Sequence, residues 1–212
     1  MLTYKLNQNC SLDDTTRDAI YNTVNGWNKL MVDEYAKISK FHPWNHIPVR
    51  NQSGGIAESF ASYMCATNET LVENPCGDGY PDILPNIPEA QPWIDNPTTE
   101  NYLGPGGFDV KALLAREKID TNASAHHRQT TKVLNVIWNF FDNIPQVIGV
   151  TYTNSLVEDD WGVPSSGSVG SKTTPSCSLR SSGKKKLREG WVILKEDIVL
   201  VSPEHWVGFK NT

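Results

Sequence analysis

The feature that most constrains the fold is a run of β-forming segments between residues 108 and 153. The segment "FDVKALL" comes first, "VLNVIWNFF" and "QVIGVTYT" follow, and the turn residues "DNIP" separate the last two. Segments rich in Val, Ile and aromatic residues and bounded by turn residues are typical of strands. Gly106-Gly107 predicts a turn directly before the first strand. Together these segments predict a sheet at the centre of the fold.

Helical periodicity dominates the N-terminal third of the chain. Apolar residues recur at three- and four-residue steps over residues 12–40, and Ser11 with two following aspartates is a helix start signal. A second helix is predicted from Ile56 to Thr67, after a loop that ends in two glycines. Residues 85–105 show neither period, and "GWVIL" and "DIVLV" predict short C-terminal strands.

The chain length limits the number of domains. A chain of 212 residues can bury one sizeable core, so we expect a single domain over residues 1–212. The mixture of segments predicts an α/β fold in which helices flank a central mixed β-sheet.

Composition indicates the compartment. The hydrophobic share of 38% and the charged share of 20% are typical of a soluble globular protein. The N-terminus lacks the basic-then-apolar pattern of a signal peptide, and no apolar run reaches membrane-spanning length. The four cysteines form no C-x-x-C pair, which favours reduced thiols. We therefore expect a cytoplasmic protein with no membrane partner.

Two charges interrupt the first predicted strand. Because strand side chains alternate between faces, Asp109 and Lys111 lie on one face and Phe108 and Val110 on the other. A charge beside an apolar core is costly unless it is paired or functional. A structural ion pair and a reactive site both satisfy this condition.

A third charged residue, Asp82, lies in "YPDIL" on the preceding predicted strand. Two neighbouring strands that each supply a carboxylate at the same end can hold one divalent cation. Mg²⁺ prefers carboxylate and water ligands, which leaves positions for a phosphate oxygen. Lys111 would then steady the attacking water or the phosphorus centre. Asp78, in "GDGYPD", competes with Asp82 for the first ligand position.

The pattern resembles a nuclease family. The dipeptide "PD" that ends at Asp82, followed by "DVK" at 109–111, is similar to the signature of the PD-(D/E)XK superfamily. The resemblance implies a restriction-endonuclease-like α/β core, Mg²⁺ as cofactor, Asp82 and Asp109 as metal ligands and Lys111 as the catalytic lysine. Glu58, on the helix before the first of these strands, matches an additional acidic position; an exposed helix glutamate is the alternative interpretation.

Two longer stretches favour one branch of this superfamily. "VDEYAKISKFHPWNHIP" is similar to an N-terminal stretch of a restriction enzyme of the EcoRV-like branch, which commonly shows the Asp form of the motif. "KTTPSCSLRSSGKKKLREGW" resembles DNA-contacting segments of type II restriction endonucleases.

The second stretch carries a local basic charge. The chain has a net charge of -5, yet six of its 19 lysines and arginines lie between residues 172 and 188 without an acidic residue. Such a stripe indicates a defined polyanion site, and short hydroxyl side chains contact base edges and phosphates. A solvated turn is the alternative for the lysine run. The predicted DNA-contacting segment spans about residues 162–190, with candidate contacts at Lys172, Thr173, Thr174, Ser176, Ser178, Arg180, Lys184, Lys185, Lys186 and Arg188.

The resemblance implies a type II restriction endonuclease that hydrolyses double-stranded DNA at a short palindromic or interrupted-palindromic site. One active site cuts one strand, so we expect a homodimer, with the helix predicted over residues 12–40 as a candidate for part of its interface. Two other functions stay open: a PD-(D/E)XK repair nuclease or junction resolvase, and a sequence-specific DNA-binding protein without catalytic activity.

Overall fold

A five-stranded mixed β-sheet forms the centre of the protein. The computed structural model describes residues 2–35, 49–77, 79–115, 117–125, 128, 130–164 and 176–209. The sheet contains β1 (Tyr4–Leu6), β4 (Asp109–Leu114), β6 (Val133–Phe141), β7 (Ile144–Thr153) and β9 (Trp191–Lys195). The strand order is β1-β9-β7-β6-β4, with β4 parallel to β6 and the other pairs antiparallel. The strand β4 is therefore an edge strand.

Two small ribbons accompany the sheet. One pairs β2 (Leu71–Glu73) with β3 (Ile83–Pro85), and the other pairs β5 (Ser124–Ala125) with β8 (Cys177–Ser178). The α-helices in the described residues are α1 (Asp14–Leu30), α2 (Val49–Thr67), α3 (Gln91–Asp95) and α4 (Ser181–Glu189). A π-helical turn, Met31–Tyr35, follows α1. None of the helices within the described ranges has the length and apolar character needed to cross a bilayer.

Each face of the sheet is covered. On one face, Ile20, Val24 and Trp27 of α1 pack with Phe60 and Met64 of α2 in the largest apolar cluster, each at most 1% exposed. On the other face, the segment after β9 contributes Leu200, Trp206 and Phe209 to a second apolar cluster. The predicted central mixed sheet with flanking helices is confirmed, and all four cysteines are free thiols.

The central strands follow the prediction closely. The strand "VLNVIWNFF" has the predicted bounds, while β7 begins at Ile144, inside the predicted turn. Asp142 and Asn143 alone make the turn, because both have positive φ angles, 51° and 64°, which a tight hairpin requires.

The bounds of the two long helices differ more from those predicted from the sequence. The first helix begins after Asp13, whose Oδ1 accepts a hydrogen bond from the Thr16 amide at 2.8 Å, and not after Ser11. It ends at Leu30, and residues 36–48 lie outside the described residues. The second helix begins at Val49 and includes Gly54 and Gly55, which the sequence placed in a loop.

Several short elements depart from the sequence prediction. β1, β2, α3 and α4 were not predicted, while the predicted strand "DIVLV" is reduced to one bridge between Leu200 and Ile119. Left-handed backbone at Asp197 (φ 58°) and Ser202 (φ 50°) bends the chain at both ends of that segment. The segment therefore cannot extend along a neighbouring strand.

Candidate active site

The site is built on the edge strand β4. Lys111 Nζ lies 2.8 Å from Asp109 Oδ2, which confirms that the two side chains share a face. The predicted turn is present, because Gly106 and Gly107 have φ angles of +69° and +67°. A Cβ on Gly107 would lie 2.9 Å from the Ile83 carbonyl oxygen, so glycine permits β3 to approach the start of β4.

Asp82 joins this pair from the residue directly before β3. The Ile83 and Phe108 amides each donate to the carbonyl of the other residue, at 3.2 and 3.1 Å, which sets the beginning of β4 against β3. Asp82 Oδ2 accepts a hydrogen bond from the Val110 amide at 2.7 Å and lies 3.8 Å from Lys111 Nζ. The structure thus brings the three motif residues together, although β3 belongs to a separate ribbon.

The electrostatics of the cluster are set by burial. Asp109 is 5% exposed, and burial raises the pKa of its carboxyl to about 7; the Lys111 ammonium opposes the shift and the Asp82 carboxylate adds to it. Burial acts to lower the pKa of Lys111, but the charges of Asp109 and Asp82 outweigh it and hold that pKa above its ordinary value. The two crowded carboxyl groups therefore favour a bound proton or cation.

A cleft of about 530 Å³ opens beside the cluster. Asp82 and Lys111 line it, and Glu58 lines it from α2, so the predicted additional acidic residue shares this space. Asp109 does not line the cleft. The residues with which α2 lines the cleft include three with small or absent side chains, namely Gly54, Ala57 and Ala61.

Three residues near the cluster were not singled out by the sequence. Glu73 and Asn74 line the cleft at the end of β2. Tyr80 lies near Asp109, and burial together with the charge of Asp109 raises the pKa of its hydroxyl. In the sequence, Glu73 directly follows the apolar pair "LV", and Asp82 directly precedes the apolar pair "IL". An acidic residue at the end of a short apolar segment is the sequence signal that indicates Glu73.

The residues present fit a magnesium ion. Asp82 and Asp109 supply carboxylate oxygens, and the cleft beside Asp82 leaves room for water, which Mg²⁺ retains in most protein sites. Within the described part of the chain, no group of three or more His, Cys, Asp or Glu side chains converges as a metal site. A magnesium ion here would therefore be held by two carboxylates and completed by water and phosphate oxygens.

The basic segment is only partly described. Lys172, Thr173 and Thr174 lie outside the described residues, as does Asp78. Ser178 pairs with Ser124 across the β5–β8 ribbon. Ser176 precedes this ribbon, Arg180 is the N-cap residue of α4, and α4 carries Lys184, Lys185, Lys186 and Arg188.

Two of these basic residues point into the protein. Lys186 Nζ lies 2.7 Å from the buried carboxylate of Asp160, and Arg188 Nη2 lies 2.6 Å from Asp120 Oδ1. Arg188 is 8% exposed, so its charge is committed to the fold. The predicted stripe is thus divided: Arg180 and Lys185 are exposed, Lys184 is half-buried, and Lys186 and Arg188 form internal ion pairs.

No protein-family model, curated protein or solved structure matches the chain. Any proposal for the function of this cleft is therefore argued from the residues that line it and from the surfaces around it.

Proposed function

We propose that the chain is a Mg²⁺-dependent nuclease of the PD-(D/E)XK type that acts as a type II restriction endonuclease. The observation that carries the proposal is the convergence of Asp82, from the residue before β3, with Asp109 and Lys111 of the edge strand β4, beside an open cleft. A structural ion pair alone would not require a second carboxylate 3.8 Å from the same ammonium. This crowding favours the reactive site over the structural interpretation.

Each residue has a role in phosphodiester hydrolysis. Asp82 and Asp109 would hold the metal, and Asp109 would give up its proton as the cation binds. Bound Mg²⁺ supplies charge neutralisation at the phosphate and an activated water. Lys111 would stabilise the charge that develops on the phosphoryl oxygens, because the residue lines the cleft and the neighbouring carboxylates keep its ammonium protonated. Glu58, an exposed residue of α2, also lines the cleft and adds a further acidic group.

The position of the site on an edge strand supports the proposed restriction-endonuclease-like core. The candidate site lies on an edge strand, so a long duplex can reach it from outside without entering the sheet. A cleft of about 530 Å³ accommodates a stretch of sugar-phosphate backbone and not a whole duplex. The duplex would therefore lie across the mouth of the cleft.

The position of the β5–β8 ribbon supports DNA as the substrate. Ser124 lines the cleft and pairs with Ser178, which lies two residues before Arg180. The ribbon thus connects the wall of the cleft to the exposed basic residues Arg180 and Lys185.

We further propose a homodimer, because one cluster cuts one strand and a two-fold axis matches a palindromic site. The apolar face of α1 is not available for this interface, since Ile20, Val24 and Trp27 are buried in the chain's own core. The prediction that the apolar face of this helix forms part of the interface is therefore wrong for α1, while residues 36–40 of the predicted helix lie outside the described residues.

Incubation of the purified protein with phage DNA tests the proposal. We expect discrete fragments with Mg²⁺ and intact DNA with EDTA. The variants Asp109→Asn and Lys111→Ala should lose at least about a hundred-fold in rate. Asp18→Asn, an exposed carboxylate on α1, is the matched control and should cut normally.

Other outcomes separate the alternatives. Fragments of all sizes, or cutting confined to branched substrates, would indicate a repair nuclease or resolvase. Site-specific binding without cutting would indicate a DNA-binding protein, and neither binding nor cutting would reject the proposal.

A further inference from the structure

The loop that leads from β2 to Asp82 is closed by one side chain, that of Asn74. Its Nδ2 donates to the Pro81 carbonyl at 3.0 Å, and its Oδ1 accepts from the Cys76 amide at 3.0 Å. The Asn74 backbone amide also donates to the Asp82 carbonyl at 2.9 Å. Asn74 therefore joins the first part of the loop to its last residues.

The loop is shaped around this amide group. A Cβ on Gly79 would lie 2.7 Å from Asn74 Nδ2 and 3.0 Å from Oδ1, closer than ordinary packing allows. It would also lie 3.0 Å from the Cys76 carbonyl oxygen. The Asn74 side chain thus keeps its place because residue 79 has no side chain.

The carboxylate of Asp82 has little packing of its own to hold it. Its side chain is 42% exposed, and its described contacts are the hydrogen bond from the Val110 amide and the Lys111 ammonium at 3.8 Å. The Asp82 carboxylate keeps these two contacts only while the backbone at Pro81 and Asp82, where Asn74 is bonded, holds its place.

We propose that Asn74 is a positioning residue for the metal site: it fixes the loop so that the Asp82 carboxylate stays against β4. The proposal rests on the proposed function for its consequence in catalysis. Residues that orient a metal ligand commonly change metal affinity about 10- to 100-fold when they are removed. Loss of Asn74 should therefore raise the Mg²⁺ concentration needed for cleavage more than it lowers the rate at saturating Mg²⁺.

Two variants disrupt the hydrogen bonds of the Asn74 side chain in different ways. Asn74→Ala removes both side-chain hydrogen bonds, and Gly79→Ala displaces the amide by its added methyl group. The matched control is Asn86→Ala, which removes a side-chain bond to the Glu69 carbonyl at the other end of the same ribbon. Each variant is tested as the full chain.

The first measurement is amide hydrogen exchange without metal or DNA. In Asn74→Ala and Gly79→Ala we expect faster exchange of the Val110 amide, the donor to Asp82, while the amide of buried Val136 in β6 keeps its protection. Asn86→Ala should leave both amides unchanged. Unchanged exchange at Val110 in both test variants would overturn the proposal.

The second measurement is the cleavage rate as a function of Mg²⁺ concentration. We expect the half-maximal concentration to rise about ten-fold or more in both variants, with the saturated rate within about three-fold of the original. The double variant should resemble Asn74→Ala, because Gly79→Ala acts mainly through the same side chain. Equal losses at all Mg²⁺ concentrations, or fully additive effects, would contradict the proposal. If the unaltered protein cuts no DNA, the proposed function fails while the Val110 exchange still decides the role of Asn74.

Discussion

At the scale of single residues, the protonation of Asp109 links stability to pH. Its pKa in the folded protein is raised to about 7, whereas an unfolded chain would show the ordinary carboxyl value of 3.8. The folded state therefore holds a proton that the unfolded state releases between these values. The stability that this proton contributes is complete below about pH 4 and is lost as the pH rises through about 7.

We predict this loss from urea unfolding without divalent metal. The free energy of unfolding, relative to Asp109→Asn, should fall between pH 4 and pH 7 with a slope of up to about 1.4 kcal/mol per pH unit. Added Mg²⁺ should reduce the fall, because the cation then neutralises the carboxylate. Parallel pH profiles for the two proteins would show that Asp109 ionises normally.

A second residue-scale prediction concerns threonines in the core. Thr151 and Thr121 are both 0% exposed, but the Thr151 hydroxyl has no hydrogen-bond partner among the described residues, whereas Thr121 Oγ1 donates to the Lys184 carbonyl at 3.1 Å. Removing an unpaired buried hydroxyl removes a desolvation penalty. Thr151→Val should raise the free energy of unfolding by about 1 kcal/mol, and Thr121→Val should lower it by about as much. Urea denaturation measures both, and a loss of stability in Thr151→Val would reveal a partner such as ordered water.

The residues of the candidate site were predictable to different degrees. Asp82, Asp109 and Lys111 stand in a short pattern whose spacing is visible in the sequence, and the structure places them together. Asn74 gave no signal, because its role depends on how a loop folds back on it. The partners of Lys186 and Arg188 lie 26 and 68 residues away along the chain, so their internal ion pairs were not visible either.

At the scale of elements, the segment that contains α4 carries two kinds of basic residue, those paired with carboxylates of distant segments and those exposed to solvent. Lys186 pairs with buried Asp160, and Arg188 pairs with Asp120, whereas Arg180 and Lys185 are exposed. The helix thus combines a structural face with a solvent face that carries positive charge.

This division predicts two kinds of variant. Lys186→Ala and Arg188→Ala should lower the free energy of unfolding by about 2–3 kcal/mol, because each leaves a carboxylate without its partner. Lys185→Ala should leave stability unchanged and reduce the salt dependence of DNA binding by about one counterion. Urea denaturation and binding titrations at several salt concentrations check these effects. Normal stability in Lys186→Ala and Arg188→Ala would mean that the ion pairs contribute little.

The elements also show which signals a sequence carries. β6 and β7 are predictable from the sequence because their apolar runs are long and the turn between them consists of residues that favour positive φ. α4 was missed because its sequence "SSGKKKLRE" has one large apolar residue, Leu187, and ion pairs with distant segments replace the usual apolar stripe. The beginning of α2 was misplaced because two glycines normally interrupt a helix, yet here Gly54 lines the cleft.

At the scale of the whole molecule, the proposed homodimer makes a prediction about strand cutting. Sedimentation of the DNA complex should give two chains per duplex. A heterodimer of unaltered and Asp109→Asn chains should mainly nick its site, because each subunit cuts one strand. A single chain per duplex, or double-strand breaks by the heterodimer in one encounter, would exclude the dimer. Trp27→Ala should lower the free energy of unfolding by about 3–5 kcal/mol without weakening the dimer interface, since Trp27 is 1% exposed within its own core.

The position of Asp82 has a consequence for the association of chains. An edge strand exposes backbone amides that can pair with the sheet of another molecule. In this protein the Asp82 carboxylate occupies one such amide, at Val110, and the contact between Ile83 and Phe108 covers the next residues. Asp82→Ala would open that edge to strand-to-strand aggregation. Asp82→Asn should avoid this aggregation, because its amide oxygen can still accept the hydrogen bond from the Val110 amide.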